Sequence, residues 1–153
     1  MKVTSVKSRV LAIPNNEPYY YSQGVGQGVN CVLVEVETDE GITGIGEACG
    51  DRSAEAIVEV VRAAARAIEG HSPFDIEAFL HRFYRLGKWD DMRRFANQAV
   101  AGVEMALWDI VGKACDQPVH RLFGGMVKER SSCFAFLQGN FPLQRRLRAA
   151  PTS

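Results

Sequence analysis

The stretch NCVLVEVETDEGITGIGEA, residues 30–48, most limits what this chain can fold into. Val32, Val34 and Val36 alternate with Leu33, Glu35 and Glu37, and a period of two sets the valines on one face of a strand. Residues 39–41, Asp-Glu-Gly, turn the chain back, because Gly41 reaches positive φ at little cost. ITGIGEA returns as the partner strand. A hairpin with one apolar face needs an apolar cover, which later segments must supply.

Three helical segments follow. Ser53 can cap a helix in which Ile57, Val61, Ala64 and Ile68 recur at helical spacing, and Gly70 stops it. SPFD then predicts a second start, with Ser72 as N-cap, Pro73 at the first helical position and Asp75 one turn in. Its apolar face is Ile76, Phe79, Leu80 and Phe83, and Gly87 ends it. A longer helix over residues 93–115 carries Val100, Val103, Leu107, Ile110 and Ala114 as a stripe. Upstream, residues 2–13 read as a strand that Pro14 terminates. Residues 14–28, PNNEPYYYSQGVGQG, predict a long mobile loop, of a kind that is usually a functional lid or disordered, and the three adjacent tyrosines argue against plain disorder. Residues 131–139 read as one more strand. The fold class is therefore α+β: a small antiparallel sheet of about three strands, followed by a bundle of about three to four helices.

Zero formal net charge gives no general reason to expect a nucleic-acid partner. The balance is uneven, since the charges from Val127 onward are Lys128, Glu129, Arg130, Arg145, Arg146 and Arg148. No apolar run approaches the roughly 18 residues that span a bilayer, and residues 1–10 lack the apolar core of a signal peptide, which predicts a cytoplasmic protein with no membrane partner. Cys31, Cys49, Cys115 and Cys133 are scattered without a C-x-x-C pair, the pattern of four reduced thiols rather than a zinc site.

Local chemistry is sparse. GITGIGEACG offers Gly44 and Gly46 but has Cys49 where a dinucleotide fingerprint needs a third glycine, so it reads as a closely packed hairpin strand. Glu104 and Asp109 lie about 140° apart around a helix and share no face. Asp109 instead has Lys113 four residues on, an ordinary helical ion pair. His71 at a helix stop, His81 on a helix face and His120 in a turn do not form a metal set. No metal ligand is assigned to this chain.

The third helix changes the reading. QAVAGVEMALWDIVGKACDQPVHRLFGG, residues 98–125, resembles the N-terminal signature of the mandelate racemase/muconate lactonizing enzyme family of the enolase superfamily. The matching positions are Ala101, Glu104, Ala106, Leu107, Asp109, Gly112, Lys113, Pro118, Leu122, Gly124 and Gly125. Upstream, TDEGITGIGEA is similar to that family's hairpin, and Gly44, Gly46 and Glu47 match. The resemblance covers roughly residues 1–137. It implies an N-terminal capping domain over residues 1–130 and a first barrel strand over 131–139, with an irregular or disordered tail over 140–153.

In the full-length family the resemblance implies Mg²⁺ held by three carboxylates on barrel strands. A Lys or His base there removes the proton α to a carboxylate, and the cation stabilises the enediolate that forms. No Asp or Glu follows Glu129, no Lys follows Lys128 and no His follows His120, so the expectation is a capping portion without metal or base, inactive alone. Its substrate, a small carboxylate or sugar acid, would bind only with a barrel supplied. Two loops carry over as substrate contacts: residues 15–27 with Tyr19, Tyr20 and Tyr21, and residues 48–53 with Cys49, Gly50 and Asp51. The motif residues Gly44, Gly46, Glu47, Glu104, Asp109, Lys113, Gly124 and Gly125 take structural roles. The rival readings are a stand-alone, non-enzymatic capping or homo-oligomerising module, and an unrelated α+β ligand-binding domain.

Overall fold

The computed structural model describes residues 1–49, 54–89 and 93–130. Gly50, Asp51, Ser53, the predicted strand 131–139 and the predicted tail 140–153 lie outside the described residues. Strands β1 (Val3–Tyr21), β2 (Gly24–Thr38) and β3 (Thr43–Cys49) form an antiparallel sheet in the order β1-β2-β3. The predicted hairpin is β2 and β3, paired without a break from Glu37↔Thr43 to Cys31↔Cys49. Gly41 turns it with φ +79°. Val32, Val34 and Val36 are fully buried, as the alternation requires.

The predicted loop over residues 14–28 is instead strand. β1 continues through Pro14 to Tyr21, Ser22 and Gln23 make the turn, and β2 starts at Gly24. Three local arrangements overcome the loop-like composition. β1 is an edge strand, where proline's missing N–H is tolerated. The register slips between Pro14↔Gly28 and Tyr19↔Gly26, so the Asn-Asn-Glu-Pro segment is absorbed as a bulge. Gly28 lets the strands close, since a Cβ there would lie 2.4 Å from the Ile13 carbonyl oxygen.

Helix α1 (Ala54–Ile68) lays Ile57, Val61, Ala64 and Ile68 into the core and ends at Gly70, φ +79°. The exit is joined to the sheet, because Gly70 N–H donates to the Val3 carbonyl (2.8 Å) and Val3 N–H to that of His71 (2.9 Å). Helix α2 (Ile76–His81) starts later than predicted. Ser72 does not cap it: its hydroxyl accepts from Phe74 N–H at 3.2 Å and its carbonyl from Asp75 N–H, closing a separate turn. The first helical bond runs from Phe79 N–H to the Asp75 carbonyl, so Asp75 is the N-cap. A π-helical turn, Arg82–Leu86, continues α2 to Gly87 and buries Phe83, on which Trp89 stacks at 5.5 Å.

Helix α3 (Arg93–Ala114) covers the valine face with Ala96, Ala99, Val100, Val103, Ala106, Leu107 and Ile110. Ala114, predicted to belong to the buried stripe, is exposed. Thr43, the first residue of β3, already lies level with Lys113, so Ala114 falls past the end of the strand. A short helix α4 (Val119–Leu122) holds His120, which was predicted in a turn. Among the described residues the outcome is a three-stranded antiparallel sheet followed by four helices.

Contact between α3 and β3 is backbone on backbone. A Cβ at Gly44 would stand 2.0 Å from the Ala106 carbonyl oxygen, and one at Gly46 2.0 Å from that of Gly102. Only glycine fits at these two positions.

Candidate functional site

Both loops predicted to select substrate issue from one end of the sheet. There Leu11, Cys31 and Cys49 form a row across β1, β2 and β3, and β3 stops at Cys49. Beyond that row β1 and β2 run on as a paired arm, with no third strand beside them among the described residues. The backbones of Tyr19, Tyr20 and Tyr21 form the arm's last three pairs, opposite Gly26, Val25 and Gly24. Tyr20 is 68% exposed. Cys49 is also exposed, but its partner Cys31 lies five residue steps along β2 from Gly26, on the order of 17 Å. The backbones of the three tyrosines and of Cys49 thus share an end of the sheet but stand apart along it.

The face of the sheet turned away from the helices changes character along its length. Near the β2–β3 turn it is charged: Lys7 pairs with Glu37 at 2.5 Å and Arg9 with Glu35 at 3.0 Å. The Lys7 ammonium and then the Ser5 hydroxyl, both hydrogen-bonded to Glu37, hold its carboxyl below the usual glutamate range. Toward the arm the same face turns apolar, with Leu11, Ile13 and Val29 exposed, while Ile45 is an exposed apolar side chain opposite Glu35 nearer the turn.

The motif residues sit elsewhere. Gly44 and Gly46 lie under α3, while Glu47 is exposed on the outer face opposite Leu33. Glu104 is half-buried on α3. Asp109 and Lys113 pair at 2.8 Å along α3. Gly124 and Gly125 follow α4 with φ +103° each, and Gly125 N–H donates to the His120 carbonyl at 2.9 Å. Among the described residues, no three His, Cys, Asp or Glu side chains gather to hold a metal ion, so they do not fit the three-carboxylate Mg²⁺ site that the resemblance implies.

One juxtaposition was not foreseen from cysteine spacing. A hairpin centred on Glu40 sets Cys31 and Cys49, nine residues to either side, opposite one another. The signal lay in the hairpin symmetry.

The model of the mandelate racemase/muconate lactonizing enzyme N-terminal domain matches residues 4–124. The chain belongs to that family. It is 36% identical over 111 residues to a D-galactonate dehydratase of Xanthomonas campestris, which covers 72% of this chain and 29% of the dehydratase. Among solved structures, an isomerase from Streptomyces coelicolor superposes with TM-score 0.69 at 34% identity, covering 83% of this chain and 33% of that one. A dipeptide epimerase from Enterococcus faecalis, complexed with Mg and L-Leu-L-Tyr, superposes with TM-score 0.67 at 29% identity, covering 82% and 35%. The chain thus spans about a third or less of the length of these relatives and corresponds to their N-terminal domain. No described helix is long and apolar enough to cross a membrane.

Proposed function

We propose that the chain is the substrate-selecting, N-terminal portion of a cytoplasmic, Mg²⁺-dependent enolase-superfamily enzyme, an acid-sugar dehydratase, racemase or cycloisomerase, and is inactive alone. The observation that carries this reading is the arm: a paired ribbon extending past the end of β3 and presenting Tyr20 to its surroundings. A tyrosine supplies an apolar ring and a polar hydroxyl, which suits a polyhydroxylated acid. Closed over a barrel mouth, such an arm would exclude water and orient the substrate without touching the proton that moves. Mg²⁺ would supply charge stabilisation of the enediolate, from ligands outside the described residues.

The dehydratase relative makes D-galactonate the first substrate to test. Loss of the α-proton and of the adjacent hydroxyl as water gives an enol that ketonises to a 2-keto-3-deoxy acid, which semicarbazide detects. The chain alone with Mg²⁺ should give no product. Mixed with a separately produced barrel of that relative, it should restore turnover. Product from the chain alone overturns the assignment of inactivity, and failure to complement the barrel overturns the capping role.

A second reading, a stand-alone capping or homo-oligomerising module, draws on the exposed Leu11, Ile13, Val29 and Ile45. Its homo-oligomerising form requires self-association, and light scattering that finds only monomer at high micromolar concentration removes that form.

A further inference from the structure

Cys31 and Cys49 are direct partners in the β2–β3 register, so their side chains leave the same face of the sheet. The kind of pair they make follows from the edge of β3. Ile45 N–H donates to Asp109 and the Thr43 carbonyl accepts from Lys113, so residues 43 and 45 turn their backbone groups away from β2. The register runs unbroken from Thr43 to Cys49, and alternation puts Cys49 in the same set. Cys31 and Cys49 therefore make a non-hydrogen-bonded pair. Such pairs hold their Cα atoms about 4.5 Å apart, with side chains closer than elsewhere in the ladder. That separation is inside the window of about 4.4–6.8 Å that a disulfide needs.

The two thiols differ in access. Cys49 is exposed and Cys31 is only 7% exposed. We propose that they form an oxidisable dithiol, a reversible modification site for peroxide, with Cys49 reacting first and Cys31 resolving. The Cys49 thiol takes one oxygen from hydrogen peroxide, giving a sulfenic acid and one water. The Cys31 sulfur then displaces the sulfenic hydroxyl, which leaves as a second water with the Cys31 proton, and the S–S bond forms. The two electrons reduce the peroxide. The resulting bridge ties the last residue of β3 to β2, at the root of the tyrosine arm. Cys115, exposed beyond the C-terminal end of α3, has no such partner in the register.

The test uses the full chain with Cys115→Ser and Cys133→Ser, so that only the pair remains. After treatment with hydrogen peroxide, both titratable thiols should vanish. The chain should stay monomeric, lose the mass of a hydrogen pair, yield a crosslinked 31–49 peptide on digestion and recover both thiols with dithiothreitol. Adding Cys31→Ser should leave Cys49 as a sulfenic acid trapped by dimedone, and adding Cys49→Ser should leave Cys31 unmodified. The chain retaining both cysteines decides the matter even if a variant folds poorly. Disulfide-linked dimers, or sulfinic acid at Cys49 with Cys31 still a thiol, overturn the proposal.

Discussion

Asp109 and Lys113, one turn apart on α3, grip the free edge of β3 together. Asp109 Oδ2 accepts from Ile45 N–H at 2.9 Å, Lys113 Nζ donates to the Thr43 carbonyl at 2.7 Å, and the two side chains bond each other at 2.8 Å. An edge strand otherwise offers these backbone groups to any passing strand. The pair is thus a cover for the sheet edge as well as a helix-surface ion pair.

Asp109→Ala should therefore cost more than the few tenths of a kcal/mol of an exposed helical pair. It strips Ile45 N–H of its acceptor and Lys113 of its counter-charge, and a loss of about 1–2 kcal/mol is expected in urea unfolding. Asp109→Asn, which keeps an acceptor oxygen, should lose less. Equal losses for the two variants would show that charge alone matters.

Gly46→Ala and Gly41→Ala separate two reasons for glycine. At Gly46 the added methyl meets the Gly102 carbonyl at 2.0 Å, so α3 must lift off the sheet, for about 1–3 kcal/mol or more. At Gly41 nothing lies within 4 Å and only the φ of +79° resists, for about 1 kcal/mol. Thermal unfolding of both variants checks the order.

Phe83→Ala should remove the ring on which Trp89 stacks and empty the site under the π-helical turn, costing about 3–5 kcal/mol. Tryptophan emission from the folded variant should shift to longer wavelength. An unshifted spectrum would mean that the ring is not what shields Trp89.

Glu37 sets a pH dependence. Its folded pKa is lowered from the ordinary 4.5, so its contribution is present above that value and is lost as pH falls through the folded one. Glu37→Gln should flatten the acid side of a plot of urea midpoint against pH, and an unchanged acid slope would count against it.

Much of this fold is legible in short-range pattern. The alternation at Val32, Val34 and Val36 gives the strand and its buried face, and the helical spacing of Ile57, Val61, Ala64 and Ile68 gives α1. What local pattern hides is decided by partners distant in sequence. Pro14 and Gly28 each signal a loop, yet opposite one another they permit a strand pair. Ser72 has the chemistry of a helix cap but spends it on Phe74. The acceptor for Ile45 N–H is 64 residues away, and no spacing rule reaches it. At the candidate site, composition marks Tyr19, Tyr20 and Tyr21 for notice, while their placement on a ribbon depends on β2.

The glycine contacts of β3 also determine which parts of the molecule can bend. With Gly44 and Gly46 seated on the carbonyls of Ala106 and Gly102, β3 and α3 have no side chains between them at these two points, and strand and helix tilt as one stiff block. Compliance is left to the far part of the β1–β2 pair, beyond the Leu11–Cys31 pair, where a ribbon of two strands stands like a cantilever on that block. Flexure there swings the tyrosine tip through an arc while leaving the core strain-free.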